Sequence, residues 1–190
     1  MSLPYVISAV AAFSLLLLLH LAAASDQPQP PPASASASNS TNATTATARP
    51  GRRSYTREFL QAHNKFRSAF QVPPLTWDRN LTRFARRWGE KCAADCKMTH
   101  SYGPYGENMF WGKLEHWTPT EVVESWAGED KFYNLNSNEC AAGQTCGHYT
   151  QIIWKESLRL GCARVNCANG ELLVICEYYP PGNYVNEKPI

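Results

Sequence analysis

The sequence predicts an α+β domain in which helices pack on an antiparallel sheet. Apolar residues recur at three- and four-residue spacing in the earlier part of the domain, a pattern typical of helices. Runs rich in β-branched and aromatic residues follow near the C terminus and indicate strands. The chain also contains seven cysteines, all in the same region. Because strands and helices do not alternate, a parallel doubly wound fold is disfavoured.

The N-terminal part of the chain is not expected to belong to this domain. The stretch from Tyr5 to Ala24 is almost wholly apolar and ends in small residues, so residues 1–25 are predicted to be a secretory signal peptide. An uncleaved membrane anchor is the alternative, because the stretch approaches the length of a bilayer span. Residues 26–53 are rich in Pro, Ala, Ser and Thr and are expected to form a disordered linker. The domain then spans residues 54–190.

Charge and hydropathy exclude two classes of partner. The net charge is +2 and the basic residues are dispersed, which gives no support for nucleic-acid binding. No second apolar run of spanning length follows Asp26, so stable membrane insertion is not expected. We expect a monomer in the extracellular space or cell wall. Acceptor signals for N-glycosylation begin at Asn39, Asn42 and Asn80.

Three helices are predicted from apolar periodicity and from residues suited to helix termini. The first is expected to be capped by Thr56 and to end before Val72-Pro73-Pro74. The second is expected to start at Asp78 or Asn80. Thr118-Pro119-Thr120-Glu121 has the pattern of a capping box and predicts the start of the third helix.

A β-hairpin is predicted at the C-terminal end of the domain. Its strands are Arg159 to Val165 and Glu171 to Tyr179, and Asn169-Gly170 between them favours a tight turn. Spacing alone leaves the cysteine pairing open. Two local hints are that Cys140 and Cys146 flank a short loop, and that Cys162 and Cys176 lie on the two hairpin strands.

Four short strings give the sequence a specific resemblance. In chain order they are His63-Asn64-Lys65-Phe66-Arg67, Gly106-Glu107-Asn108, Gly147 to Trp154, and Cys176 to Tyr184. They resemble the signature motifs of the CAP superfamily, and in particular its plant pathogenesis-related 1 type. The resemblance covers residues 54–190 and implies a three-layer α-β-α sandwich with an antiparallel sheet.

The same resemblance implies a disulfide pattern and a polar cavity. The implied bonds are Cys96–Cys167, Cys140–Cys146 and Cys162–Cys176. Cys92 is left over; we expect it to be buried and inert, with competition for Cys167 or pairing between chains as alternatives. The cavity would be lined by His100, Glu107, Glu129 and His148. Glu124, one turn before Glu129 on the predicted helix, is the rival for the third position.

Two interpretations of the four cavity residues are equally well supported by the sequence. Two imidazoles and two carboxylates are ligand types that zinc accepts, with His100 and His148 as the first candidates. Alternatively, each His donates to a Glu in a buried polar network. Catalysis is the minority interpretation, because the chain has no Gly-x-Ser-x-Gly elbow and no cysteine paired with a motif histidine.

By resemblance, the leading functional hypothesis is a secreted defence protein that binds sterols or related lipids of microbes. Phe132 and Tyr133 lie in an otherwise polar segment and are the candidate lipid contacts, although loop packing also explains them. One alternative is a zinc-dependent hydrolase that uses the His/Glu cavity. Another is a precursor of a defence peptide starting at Pro180, although Ile190 replaces the usual terminal tyrosine.

Overall fold

The computed structural model describes residues 52–113 and 116–190, and side chains from residue 55 onward. The predicted signal peptide, nearly all of the linker, and the acceptor sites Asn39 and Asn42 lie outside the described residues, so those expectations stay predictions. Among the helices of the described part, none is both long enough and apolar enough to span a membrane.

The described chain contains helices on both sides of a sheet. The α-helices are α1 (Arg52–Ala69), α2 (Arg79–Cys92), α3 (Pro119–Ala127) and α4 (Gly147–Ile152), and a short 3₁₀ helix (Gly128–Phe132) continues from α3. The strands are β1 (Thr76–Trp77), β2 (Gly106–Gly112), β3 (Tyr133–Asn134), β4 (Glu139–Cys140), β5 (Arg159–Asn166) and β6 (Leu172–Tyr179).

The three predicted helices are present, and two begin as the sequence indicates. The Asp78 carboxylate caps α2 by accepting from the backbone nitrogen of Asn80 at 2.6 Å. Thr118 and Glu121 form the expected reciprocal capping box of α3. The start of α1 was predicted wrongly, because it begins at Arg52 rather than after Thr56. No Pro or Gly lies between Gly51 and Thr56, so nothing in the chain stops the helix from extending back that far.

The main sheet has the strand order β1-β5-β6-β2. The β5–β6 and β2–β6 pairs are antiparallel, as predicted. The β1–β5 pair is parallel and two residues long, so the sheet is mixed rather than purely antiparallel. Strands β3 and β4 form a separate two-stranded hairpin. The α+β class and the sandwich architecture are confirmed, with this one parallel edge pair as the difference.

The hairpin between β5 and β6 has a wider turn than the tight one expected from Asn169-Gly170. Residues 167–171 form the loop, and the Cys167 N–H donates to the Glu171 carbonyl at 2.8 Å. Gly170 takes a φ of +83°, which is the conformation that favours glycine. The loop also carries Cys167, which is bonded to Cys96.

Two apolar clusters, one on each face of the sheet, hold the layers together. The larger contains residues of α1, α3 and α4, with Phe59, Val122 and Ile152 among its buried members. The smaller lies between α2 and the opposite face, with Ala85 and Ile175 among its members. The sheet is therefore the middle layer of three, as the resemblance implied.

Three disulfide bonds link the elements in the pattern that the resemblance implied. Cys96–Cys167 ties the segment that follows α2 to the β5–β6 loop, with 5.5 Å between the Cα atoms. Cys140–Cys146 closes a short loop before α4, and Cys162–Cys176 joins the paired strands β5 and β6. Cys92 is free and buried. Burial raises the pKa of its thiol, which keeps it in the less reactive protonated form.

Candidate functional site

His100 and Glu107 form a close pair at the start of β2. His100 Nδ1 donates to Glu107 Oε1 at 2.6 Å, and the Ser101 backbone N–H donates to the same oxygen at 2.9 Å. The hydrogen bond to Glu107 raises the pKa of His100, against the opposing effect of burial. Burial would raise the pKa of Glu107, but the hydrogen bonds from His100 and Ser101 outweigh it and the pKa is lowered. The pair thus favours an ionised Glu107 beside a protonated His100.

A second carboxyl group, Glu177, lies beside Glu107. The two residues are direct cross-strand partners in β2 and β6, so their side chains lie on the same face of the sheet. Glu177 is fully buried, and neither of its carboxyl oxygens has a hydrogen-bond partner; Glu107 Oε2 is also buried without one. A proton held by Glu177 would allow it to donate to Glu107. Burial, and then the negative charge of Glu107, raise the pKa of Glu177 to about 9.

The raised pKa of Glu177 makes the stability of the fold depend on pH. In the unfolded chain this carboxyl ionises near its ordinary pKa of 4.5, whereas in the folded protein it stays protonated until about 9. Its contribution to stability is therefore fully present below pH 4.5. It is lost progressively as the pH rises from 4.5 toward 9.

His148 and Glu129 form the other pair, at the start of α4. His148 Nδ1 donates to Glu129 Oε1 at 2.6 Å. The backbone N–H groups of His148 and Tyr149 donate to Glu129 Oε2 at 3.0 and 3.2 Å. The His148 ring also stacks on Trp126, with 6.1 Å between ring centroids. Glu129 therefore orients the imidazole and satisfies two backbone donors of the first turn. Glu124, the rival residue, instead pairs with Lys65 at 3.5 Å.

A buried hydrogen-bond network connects the His148 segment to the core. Asn108 Nδ2 donates to the His148 carbonyl at 3.0 Å and to the Tyr178 hydroxyl at 3.1 Å. The Tyr178 hydroxyl lies 2.8 Å from His63 Nε2, and His63 Nδ1 donates to the Phe59 carbonyl at 2.7 Å. Because this chain of bonds runs from α1 through the sheet to α4, it fixes the position of His148.

Strand β2 contacts the residues of both His–Glu pairs through two consecutive positions. Glu107 and Asn108 are consecutive, so their side chains point to opposite faces. Glu107 bonds His100 on the face of α2, whereas Asn108 bonds the His148 carbonyl on the other face. Strand β2 therefore positions one pair through Glu107 itself and the other through the main chain of His148.

This arrangement bears on the predicted zinc site. A carboxylate on Nδ1 leaves Nε2 of each histidine as the nitrogen for a metal, which is how metal-binding histidines are commonly oriented. However, among residues 52–113 and 116–190 no three His, Cys, Asp or Glu side chains are grouped so that they could hold a metal ion. Each pair has one histidine and one carboxylate, fewer than the three protein ligands of a catalytic zinc site.

Comparison of the sequence with known proteins identifies the family of this chain. The cysteine-rich secretory protein family, CAP, matches residues 60–178. This chain belongs to the CAP family. Pathogenesis-related protein 1C of Nicotiana tabacum is 47% identical over 133 residues, which cover 70% of this chain and 79% of that protein. A pathogenesis-related protein of PR-1 type from Sambucus nigra is 46% identical over 134 residues, 70% of this chain and 80% of that one.

The CAP fold is also found among solved structures. Na-ASP-1 superposes with a TM-score of 0.61 at 24% sequence identity, over 71% of this chain. The chain spans 41% of the length of Na-ASP-1. At this identity the similarity shows the fold alone. The family assignment, the plant pathogenesis-related 1 type and the fold are therefore established, whereas the roles of the cavity residues remain predictions.

The two candidate lipid contacts of the CAP domain differ in their surroundings. Phe132 is partly exposed and lines an open groove of about 480 Å³ beside the β3–β4 hairpin, together with Ala141 and Ala142. Tyr133 packs edge-on against Tyr149, with 6.1 Å between ring centroids. It lines a different groove and donates to Asn138. Phe132 is thus the better placed of the two for a ligand in the first groove.

Residues 180–190, which we call the tail, are held against the domain by hydrogen bonds. The Asn183 side chain bonds the Thr150 hydroxyl at 2.7 Å and the Gly147 carbonyl at 2.7 Å. The Gly182 N–H donates to the Gln151 side chain at 3.1 Å. At the far end, the Lys155 N–H donates to the Pro189 carbonyl at 2.8 Å. The tail is therefore docked along most of its length.

Glu177 and Asn108 were not singled out from the sequence, although both lie within recognised motifs. The signal for Asn108 was its place directly after Glu107, where strand alternation would aim it at the opposite face. Glu177 carried no local signal, because its partner is set by strand register. Asn80 is exposed in the first turn of α2, and its glycosylation stays a prediction.

Proposed function

We propose that this protein is a secreted pathogenesis-related defence protein that acts by sequestering a sterol or related lipid of an invading microbe. Its likeness to plant proteins named as pathogenesis-related, at 47% and 46% identity, supports the defence role. The apolar N-terminal segment and the three disulfide bonds support passage through an oxidising secretory compartment.

The single observation that supports lipid binding is the groove beside the β3–β4 hairpin. Its volume of about 480 Å³ lies within the range of ligand sites. Phe132 and two alanines supply apolar contact. A sterol has a rigid apolar body and one hydroxyl, so it would gain by covering the aromatic ring while its hydroxyl reaches polar groups such as Ser137 or Glu139.

Binding of labelled ergosterol by the purified protein tests this proposal. Phe132→Ala is expected to weaken binding about tenfold to hundredfold, because contact with a phenyl ring contributes roughly 1.5–3 kcal/mol. Met98→Ala is the matched control, since Met98 is exposed and apolar but lies outside this groove. Background-level retention by the unmodified protein, or equal loss in both variants, would reject lipid binding at this groove.

Secretion and defence require separate measurements. N-terminal sequencing of protein collected from the medium is expected to show removal of residues 1–25. Growth of a microbe on limiting sterol is expected to slow in the presence of the protein and to recover when excess sterol is added. Inhibition that excess sterol does not relieve would refute sequestration while leaving a defence role in place.

A further inference from the structure

A further cavity shares no lining residue with the two grooves described above. It has a volume of about 240 Å³ and is formed between α1, α2 and strand β5. Its walls include the aromatic residues Tyr55, Phe59 and Trp77, the small residue Ala163, and the two arginines Arg86 and Arg164.

The cavity exists because β1 is much shorter than its neighbour. Strand β1 pairs with β5 only at Thr76↔Arg159 and Trp77↔Leu160, whereas β5 continues to Asn166. After Trp77 the chain turns into α2, which Asp78 caps. Beyond Leu160 the two helices, rather than another strand of the described chain, flank this side of β5. The cavity therefore results from the short length of β1, and its walls belong to helices and strands rather than to a loop.

The charges around the cavity are unbalanced. Its lining contains two arginines and no acidic side chain. Arg164 is already engaged, because its guanidinium lies over the Tyr55 ring at 4.7 Å and donates to the Trp117 carbonyl. Arg86 differs: its Nε–H is buried and has no hydrogen-bond partner among the described residues. Buried donors of folded proteins are rarely left unpaired, so a partner for this group is expected.

We propose that this cavity binds a small organic carboxylate with a compact apolar body, of the size of benzoate, through Arg86. A guanidinium Nε–H and a neighbouring N–H match the two oxygens of a carboxylate. The apolar body would lie against Trp77, Phe59 and Ala163, where it leaves water. At about 30 Å³ per water molecule, the cavity corresponds to about eight waters, which suits an aromatic ring with one carboxylate and excludes a sterol.

Titration of the purified, disulfide-intact full-length protein with sodium benzoate and with benzamide tests this site. Benzamide has the same shape but no charge, so benzoate is expected to bind at least about tenfold more tightly. In a nitrogen–proton NMR spectrum of arginine side chains, benzoate is expected to shift the Arg86 Nε–H signal, which is assigned by its loss in Arg86→Lys.

Two variants separate the specific site from general attraction to a basic surface. Arg86→Met is expected to weaken benzoate binding about tenfold to hundredfold. Arg87→Met removes the same charge from the next position of α2, where the side chain is exposed and outside the cavity, and is expected to leave binding unchanged. Equal binding of benzoate and benzamide, equal loss in both variants, or no shift of the Arg86 signal would overturn the proposal.

If Arg86→Met does not fold, Arg86→Lys provides the same comparison. It keeps the positive charge but lacks the Nε–H, so benzoate binding is expected to weaken severalfold. Unchanged affinity in that variant would also overturn the proposal. Loss of ergosterol binding in Phe132→Ala does not bear on this site, since Phe132 does not line the cavity.

Discussion

Replacement of Arg67 by methionine is expected to destabilise the domain severely. Arg67 lies on α1, its side chain is fully buried, and its guanidinium donates at 2.8 Å to four main-chain carbonyls. Those carbonyls belong to Pro73, Ile152, Trp154 and Ser157, so one side chain joins α1 to the segment that follows α4. Burial lowers the pKa of Arg67 to about 10, which leaves it charged at neutral pH.

The size of the expected loss in stability follows from the hydrogen bonds that Arg67 makes. A hydrogen bond to a charged group contributes about 1.5–3 kcal/mol net, and losses within one network are not additive. Four bonds at the lower end sum to about 6 kcal/mol, and with non-additivity the expected loss in the free energy of unfolding is about 4–6 kcal/mol. Since domains of this kind have about 5–15 kcal/mol in total, Arg67→Met would leave little of the folded state in mild denaturant.

Urea denaturation at pH 7 with the disulfides intact measures this loss. Arg57→Met is the matched control, because Arg57 lies on the same helix but is exposed, and it is expected to change stability by less than about 0.5 kcal/mol. Arg67→Lys is expected to be intermediate, since an ammonium group has fewer donors than a guanidinium. A loss below about 1 kcal/mol for Arg67→Met would refute the reasoning.

Three further predictions concern single sites. Glu177→Gln is expected to raise the free energy of unfolding by about 2–3 kcal/mol at pH 7 and to change it little at pH 4, because the amide cannot ionise. Urea denaturation at both pH values measures the two effects, and equal effects would contradict the prediction. Gly161→Ala is expected to lower the free energy of unfolding, measured by thermal unfolding, by about 1–3 kcal/mol, since a Cβ there would lie 2.3 Å from a backbone nitrogen of α2. Gly128→Ala is the control and should be nearly neutral, because a Cβ at Gly128 would meet open space. Cys92→Ala is expected to keep all three disulfides, and peptide mapping without reduction would reveal any exchanged pair.

Elements that have local signals were predictable from the sequence. The capping box at Thr118 and the cap at Asp78 depend only on neighbouring residues, and both are present. The start of α1 was misplaced because Thr56 is compatible with a cap and also with a helix interior. Helix α4 has six residues and is too short for apolar periodicity to show. Strand β2 was not predicted because glycines bound it and both of its faces contain buried residues, so it lacks polar–apolar alternation.

The candidate site was predictable in its membership but not in its arrangement. The family resemblance implied His100, Glu107, Glu129 and His148, and each histidine does bond a carboxylate. That Glu107 and Asn108 point to opposite faces of β2 follows from strand alternation once β2 is known. The pairing of Glu107 with Glu177 depends on the register of β2 against β6, which residues distant in sequence determine.

Because the tail is docked on the domain, cleavage before Pro180 and release of the resulting peptide are two separate events. A protease that cuts before Pro180 would break one peptide bond, but the bonds of Gly182, Asn183 and Pro189 to the domain would still hold the fragment in place. Cleavage would therefore yield a nicked complex first. Escape of an eleven-residue peptide would follow at its own rate, and would uncover the floor of the groove that Tyr184 and Pro189 now help to wall.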